Sequence, residues 1–457
     1  MKKIIYMAVA ASMTLSLGSC HIYKKYETPD STALTAEYKQ ARQAEPDSAA
    51  FGNLLWEDVF TDPVLVDLIN RALAENTSLR NAQLNVEIAD AQLRGARLAY
   101  LPSLALTPNG AGASYAGSDL SWTYTIPASA SWEIDVFAKL LNSKRGAQVA
   151  VYKSEAYAQA VRSRIIAGVA NCYYAIASVE RQLHLYRTTA QLWKESVQMM
   201  KDMKEAGRTT EAAVVQMTAN YNNVLAGITD LEVSLDQLNN TMSLLMNTMP
   251  QTWAVSPDAS LQVPEMLIQG VPMQYLAMRP DVAAAEQDLA VAYYATNSAR
   301  AAFYPGITIS AQGGFTNLLG SFVKNPGDWF YNLAGSLVAP IFSRGQNIAR
   351  LKASKVQQQQ AMNNFEYTLL TAAAEVSDGL TTYRKATEKS TYLAEQVANL
   401  EKSVEYTIDL FQYSNGTYLE VITAQQSLLG AQMAQLTNEL TTAQSIINLY
   451  QSLGGGR

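Results

Sequence analysis

WTYTIPASASW occupies residues 122–132, and every second residue in it is apolar: Trp122, Tyr124, Ile126, Ala128, Ala130 and Trp132. Between them stand Thr123, Thr125, Pro127, Ser129 and Ser131, all small and mostly polar. Side chains alternate across a strand, so this stretch reads as a strand with one apolar and one small polar face. Eleven residues suit a tilted transmembrane β-strand, which needs about 9–11. Aromatics at the ends and one apolar side are the pattern of an outer-membrane barrel. A soluble sheet with one buried face is the other reading, and the uncharged polar side speaks against it. Pro127 has no N–H to give a ladder, which suggests a bulge.

Outward from this strand, the chain is written twice. ARLAYLPSLAL (96–106) recurs as ARAAFYPGITI (299–309), at an offset of 203. SWEIDVFAK (131–139) falls on SLVAPIFSR (336–344), and Gly207 with Gln216 on Gly416 with Gln425. Each copy, about 200 residues long, follows one plan. A helix (77–99; 280–302) stops before Pro102 or Pro305. Two strands follow, 103–114 with 122–133 and 306–316 with 329–341. A proline-free helix (138–206; 345–413) then runs to a glycine, and a return helix (208–249; 417–452) closes the copy. At 1.5 Å per residue the long helix spans roughly 100 Å, so two short helices end to end can lie along one long one. Leu393, Val397, Leu400, Val404, Ile408 and Phe411 make the narrow stripe of a coiled-coil partner.

Four strands cannot close a barrel, since about eight are the practical minimum. An open edge is not tolerated in lipid, so the strands must come from several chains, and three copies give twelve. Charged residues are only 16% of the 457, against roughly 25% in typical soluble domains. Surface lost between subunits and inner walls that are polar but uncharged account for that. The net charge of -6 carries no basic stripe, which argues against nucleic acid.

The chain opens on MKK and the apolar run IIYMAVAASMTLSL, ending in Gly18, Ser19 and Cys20. This reads as a secretory signal. LGSC resembles a lipobox, implying cleavage before Cys20 and its lipidation; an ordinary signal with a chance cysteine is the alternative. Beyond it there is no run of 18 apolar residues, so membrane entry requires strands. Cys172 is left single and reads as a buried hydrophobe. His21 and His184 lack zinc-like spacing, and neither a phosphate loop nor a nucleophile elbow is present. Glu133 and Asp135 do not form an acid/base pair. No enzyme activity, cofactor or metal is expected.

LAMRPDVAAAEQDLAVAYYATNSARAAFYPGITISAQGGF (276–315) resembles the hallmark segment of TolC-like outer-membrane efflux ducts, nearest their NodT or OprM-like lipoprotein branch. Arg279-Pro280-Asp281, Ala285-Glu286, Ala299-Arg300-Ala301 and Pro305 carry the likeness, with Trp132–Asp135–Phe137, Pro340–Phe342 and NGTYLEVITAQQSL (415–428). The resemblance implies a mainly α fold with a small transmembrane β part, trimerising into a 12-strand β-barrel and a periplasmic α-helical barrel. It implies a homotrimer in the outer membrane of a Gram-negative bacterium, partnered by a periplasmic adaptor and an inner-membrane RND-type transporter, exporting drugs and other small toxic compounds. Residues 1–19 would be the signal, and 20–61 and 250–271 a belt around the tunnel. The repeats would be 62–249 and 272–452, with a tail at 453–457. Gly207, Arg208, Thr209, Gly416 and Thr417 match the adaptor-docking tips. Glu420, Thr423 and Tyr413 are gate candidates, and Trp122, Tyr124, Trp132, Trp329 and Tyr331 would form the aromatic girdle. A lipid-anchored helical scaffold without a pore, or an exit duct for secreted proteins, are the competing functions.

Overall fold

The computed structural model describes residues 21–30, 32–43, 54–114, 116–117, 119–256, 259, 276–318, 328–413 and 417–456. Cys20 and Gly416 lie outside these residues, as does the side chain of Trp122.

Three helices precede the first copy: α1 (Ala33–Gln43), α2 (Trp56–Val59) and α3 (Pro63–Glu75). The first copy is α4 (Thr77–Leu98), β1 (Ser103–Leu106), β2 (Asn109–Ala113), β3 (Ser121–Ile134), α5 (Lys139–Glu205) and α6 (Glu211–Leu245). The second is α7 (Pro280–Ala301), β4 (Gly306–Leu318), β5 (Asp328–Val338), α8 (Gln346–Tyr413) and α9 (Tyr418–Ser452). Corresponding helices match in length: 22 and 22, 67 and 68, 35 and 35 residues. The repeat therefore holds in the backbone more closely than in side-chain identity.

The first return helix is shorter than the expected 208–249. Gly207, at φ 70°, ends α5, and Thr210 caps α6 by accepting from Ala213 N–H at 3.3 Å. At the far end Asn247 turns left-handed at φ 52°. Both strand-to-helix junctions also use left-handed residues, Ala138 in the first copy and Arg344 with Gly345 in the second. In the first, Asp135 accepts from Leu140 and Leu141 N–H at 3.0 and 2.7 Å, and Glu133 pairs with Lys139 at 2.8 Å. The two carboxylates thus start a helix and brace it.

The strands form one antiparallel sheet in the order β1-β3-β4-β5, with β2 also on β3. The expected strand 103–114 is broken at Thr107-Pro108. Leu106 faces Ala128 and Asn109 faces Thr125, so two residues lie between on each side and the register is unchanged. Pro127 therefore sits at no bulge. Thr107 N–H donates to its carbonyl at 3.1 Å, and the proline has no N–H to return, so one ladder bond is missing and the strand reads as two.

By contacts the described residues fall into two compact units. One holds the described part of Met1–Ser31, with Leu84–Ala156 and Ala283–Tyr367, and contains the sheet. The other holds Thr32–Gln83, Tyr157–Val282 and the described residues from Thr368 onward. In the first, Asn142 Nδ2 donates to Ile22 O at 2.6 Å, and Tyr26 N–H to the Tyr294 hydroxyl at 3.0 Å, so residues 22–26 are tied to α5 and α7.

In the second unit, α5 runs against α6 and α9. Arg187 pairs with Glu232 at 2.8 Å and Arg181 with Glu439 at 3.0 Å. α8 is held to α9 by the buried Asn438, which donates to Ala386 O at 2.9 Å. Short helices do meet end to end, and one position makes the joint in each copy. Asn76 Nδ2 donates to Leu245 O at 2.8 Å while its Oδ1 accepts from Ser78 N–H at 2.9 Å. At the offset of 203, Arg279 Nη1 donates to Ser452 O at 3.0 Å. Each side chain takes a carbonyl that the end of a return helix leaves unsatisfied.

Candidate functional site

Opposed residues of an antiparallel pair share a face, so the register sorts the sheet into rows. One row is Leu104, Ala130, Ala311, Leu333; the next is Ala105, Ser129, Gln312, Asn332; the third is Leu106, Ala128, Gly313, Tyr331. Apolar and polar rows alternate along the middle of the sheet; Phe330, in the row of Pro127 and Gly314, and Leu318, opposite Thr123, fall on the polar side, and Asn317, opposite Tyr124, on the apolar side. Tyr124, Ile126, Trp132, Ile309, Phe315, Trp329 and Leu337 join the apolar side, and Thr125, Ser131, Glu133, Thr308, Ser310, Thr316 and Ser336 the other. Apart from the buried Tyr124, the apolar side is largely bare: Leu104 is 82% exposed, Trp329 65%, Tyr331 79% and Leu333 74%. A contiguous face of this kind requires cover other than water. Among the described residues neither β5 nor the β1/β2 strand has a partner on its outer edge. No described helix is long and apolar enough to cross a membrane.

The girdle candidates divide by position. Trp132 closes the helix-proximal end of β3, where its Nε1–H donates to Tyr100 O at 2.9 Å. Trp122 lies at the opposite end of the strand, near Tyr124, which the chain itself buries. Trp329 and Tyr331 sit together at the start of β5, ring centroids 5.8 Å apart. Their register with Ile126 and Ala128 places them nearer the middle of β3 than either tryptophan of that strand.

The tip candidates surround an apolar cluster in the second unit. Ala190, Trp193, Val197 and Met200 of α5 meet Val214, Met217 and Val224 of α6 and Tyr418, Val421 and Ile422 of α9. Gly207 makes its turn with a pair of reverse hydrogen bonds, Arg208 N–H to Met203 O at 2.8 Å and Gly207 N–H to Lys204 O at 2.9 Å. This closes α5 as a left-handed glycine cap does. Arg208 is exposed and Thr209 half-buried beyond it. Thr417 precedes α9 as its cap residue without a side-chain bond. Tyr418, Val421 and Ile422 face the cluster, which leaves Glu420 and Thr423 exposed on another side of α9. Tyr413, at the end of α8, is 84% exposed. The Thr423 hydroxyl is spent on Leu419 O at 2.8 Å.

Two matches decide the identity of this arrangement. The sequence model of the outer membrane efflux protein family matches residues 68–248 and again 271–455. The toluene efflux pump outer membrane protein TtgF of Pseudomonas putida is 30% identical over 470 residues, covering 99% of this chain and 96% of that protein. The chain belongs to the outer membrane efflux protein family. The probable outer membrane lipoprotein SilC of Salmonella typhimurium is 28% identical over 412 residues, 88% of each chain. A crystal structure of CusC superposes with a TM-score of 0.82 at 25% identity, covering 94% of this chain and 99% of that one. The efflux protein is thus a member of a family of outer-membrane channels, built from the same helical and β parts.

Sequence reasoning did not find every residue that shapes the efflux protein. Asn76 and Arg279 share a position but not a chemistry, so similarity between the copies hides them. Gly314 sits opposite Pro127, and a Cβ there would strike the main chain of Ile126 and Pro127. Asp62, the residue before α3, also clasps the segment after α6. It accepts from Val64 N–H at 2.9 Å, from the Tyr173 hydroxyl at 2.7 Å and from Ser256 Oγ at 3.1 Å. Desolvation pushes its carboxyl up, but the bonds from Tyr173, Ser256, Val64 and Leu65 outweigh it and hold the pKa below the ordinary value. A depressed pKa contributes stability that is present above the unfolded value and lost as pH falls through the folded one. The protein is therefore expected to lose more melting temperature than Asp62→Asn does as pH drops below about 4. Parallel melting curves in that range check it, and equal pH slopes would refute it. Cys172 is inert, its thiol pushed up to about 11 by burial and pointed at Leu238 O at 3.3 Å.

Proposed function

We propose that three copies of this chain join edge to edge, β5 of each against the β1/β2 strand of the next, into a 12-strand barrel. Their helices enclose a periplasmic tunnel. The single observation that carries this reading is the sheet itself: four strand positions, one bare apolar face, one small polar face and two unpaired edges. Lipid covers the apolar face, and the polar rows line water. The trimer is the outer-membrane exit duct of a tripartite pump in a Gram-negative cell. It passes drugs and other small toxic compounds passively from an inner-membrane RND-type transporter and a periplasmic adaptor to the exterior. A toluene pump and a cation efflux system both use relatives of this chain, which supports placing the choice of cargo in the transporter.

The remaining roles follow from this reading. Acylated Cys20 anchors the chain, and the tie of residues 22–26 to α5 and α7 supports an anchor held close to the barrel. Trp122 and Trp132 contact the two membrane interfaces, with Trp329 and Tyr331 on the lipid side between them. Residues 20–61 and 250–271 wrap the tunnel between the repeats 62–249 and 272–452, with 453–457 as tail. Adaptor hairpins dock at Gly207, Arg208 and Thr209 and at Gly416 and Thr417. Glu420, with Thr423 and Tyr413 nearby, rings the narrow end of the tunnel. Three carboxylates held close attract cations, so Glu420→Gln is expected to reduce the cation-over-anion permeability several-fold, read as a reversal-potential shift in planar bilayers. An unchanged reversal potential would remove Glu420 from the gate.

The function is tested by deleting the gene and measuring accumulation across a panel of toxic compounds. Increased accumulation, restored by the parent gene, is the expected result; unchanged accumulation and sensitivity throughout would refute it.

A further inference from the structure

The apolar side of β3 ends at Trp132, and cations begin there. Trp132 Nε1–H donates to Tyr100 O at 2.9 Å, and the Lys144 ammonium lies over the Tyr100 ring, 5.7 Å from its centroid. The negative face of the ring holds a cation in that position. One turn further along α5, Gln148 accepts from Arg97 Nη2 at 3.1 Å, and residues four apart share a helix face. Arg97, Tyr100, Lys144 and Gln148 thus form one patch beside the last tryptophan of the apolar side. Arg97 and Lys144 are exposed. Among the described residues neither has a carboxylate partner: Lys144 meets the Tyr100 ring, and Arg97 the Gln148 amide.

The surroundings do not neutralise this patch. Burial pushes the Tyr100 hydroxyl up, Asp135 adds to that and Arg145 opposes it, so both charges lie beside the ring. The Asp135 carboxylate is taken up by Leu140 and Leu141 N–H. Arg145 Nη1 donates to Tyr23 O at 3.0 Å, a neutral partner. Arg97, Lys144 and Arg145 therefore stand against a single carboxylate. Lys139 is the contrast. It pairs at 2.8 Å with Glu133, a residue of the polar rows. The cation that belongs to the polar side is matched, and those beside the apolar side are not.

An unmatched positive patch at the edge of a bare apolar face fits a ligand with a negative head and an apolar body. Aromatic rings and basic side chains at the boundary of hydrocarbon and water are the usual surroundings of a lipid headgroup. A free anion would satisfy the cations and leave the apolar rows uncovered.

We propose that Arg97, Tyr100 and Lys144 form a binding site for the phosphodiester of an anionic glycerophospholipid of the periplasmic leaflet, whose acyl chains lie along the apolar face past Trp132. This rests on the reading of that face as the lipid side. Arg97 and Lys144 hold the phosphate oxygens, and the bound lipid seats the helix-proximal rim of the barrel at headgroup level. Arg145 brings the N-terminal segment to the same rim. Each subunit carries one such site, so a trimer takes three lipids.

The test uses the full chain, purified as the assembled oligomer, stripped of lipid and titrated with phosphatidylglycerol under native mass spectrometry. Three tightly held lipids per trimer are expected. Arg97→Gln with Lys144→Gln is expected to weaken them about tenfold or more, the scale of two basic residues at a membrane surface, and Lys139→Gln to leave them unchanged. Phosphatidylcholine, which has the phosphodiester without the net charge, is expected to bind more weakly, and inorganic phosphate not to displace the lipid. Unaltered binding in the double variant, an equal loss in Lys139→Gln, equal affinity for phosphatidylcholine, or displacement by inorganic phosphate each overturns the site. If the double variant does not assemble, Lys144→Gln decides alone. A parent of single-subunit mass sinks the duct reading and the site with it; a trimeric parent whose lipid binding ignores the variants sinks the site alone.

Discussion

Leu333→Arg is expected to empty the outer membrane of this protein, and Asn332→Arg, one residue away, to leave it inserted. The two residues are neighbours on β5 and lie in adjacent rows of the sheet: Leu333 with Ala311, Ala130 and Leu104, Asn332 with Gln312, Ser129 and Ala105. A guanidinium on the lipid side of a barrel costs about 2–4 kcal/mol near the bilayer midplane, and the proposed trimer would bear that cost three times. On the other side the same charge meets water. Membrane fractionation with unheated gels separates the outcomes. Leu333→Arg is expected in aggregates or the soluble fraction, and Asn332→Arg as a membrane trimer with altered ion selectivity. Equal effects of the two would mean that the sheet has no lipid side.

The second large effect is expected at Gly314. Its neighbour Gly313 has room for a methyl group, with Phe330 O at ordinary contact distance, 3.5 Å from an added Cβ. At Gly314 the added Cβ meets the main chain of Ile126 and Pro127, which no rotamer change relieves. β4 therefore approaches β3 closely at the point where Pro127 already withholds a bond from the β1/β2 side. Overpacking of this kind costs about 1–3 kcal/mol per site, next to a ladder already short of one donor. Gly314→Ala is expected to lower the temperature at which the oligomer dissociates by far more than Gly313→Ala, measured by heating samples before gel electrophoresis. Equal dissociation temperatures would contradict the close approach.

Much of the fold is legible because it rests on periodicity. The alternation in WTYTIPASASW set the faces, and β3 carries it. Proline and glycine marked the helix ends to within a few residues, since each acts locally through φ or a missing donor. The break at Thr107-Pro108 was not foreseen, because it arises from a proline on the neighbouring strand. The sequence argues only that Asp135 forms no acid/base pair with Glu133; its role at the start of α5 depends on the turn at Ala138, which brings it under the first amides of the helix. The joint at Asn76 and Arg279 is legible only by position, as the two share a task and no functional group. The sequence marks 453–457 only as a tail, yet Leu453–Gly456 is buried. Its seat is built from Gln159, Ser163, Tyr450 and Leu54, distant in sequence and without a local pattern.

Every functional statement depends on one count, that of subunits in the wall. Native mass spectrometry of the purified chain, with the same sample placed in planar bilayers, measures it directly. The expected result is a mass of three subunits and a stable conductance. A single-subunit mass with no conductance would contradict the shared barrel and the tunnel beneath it.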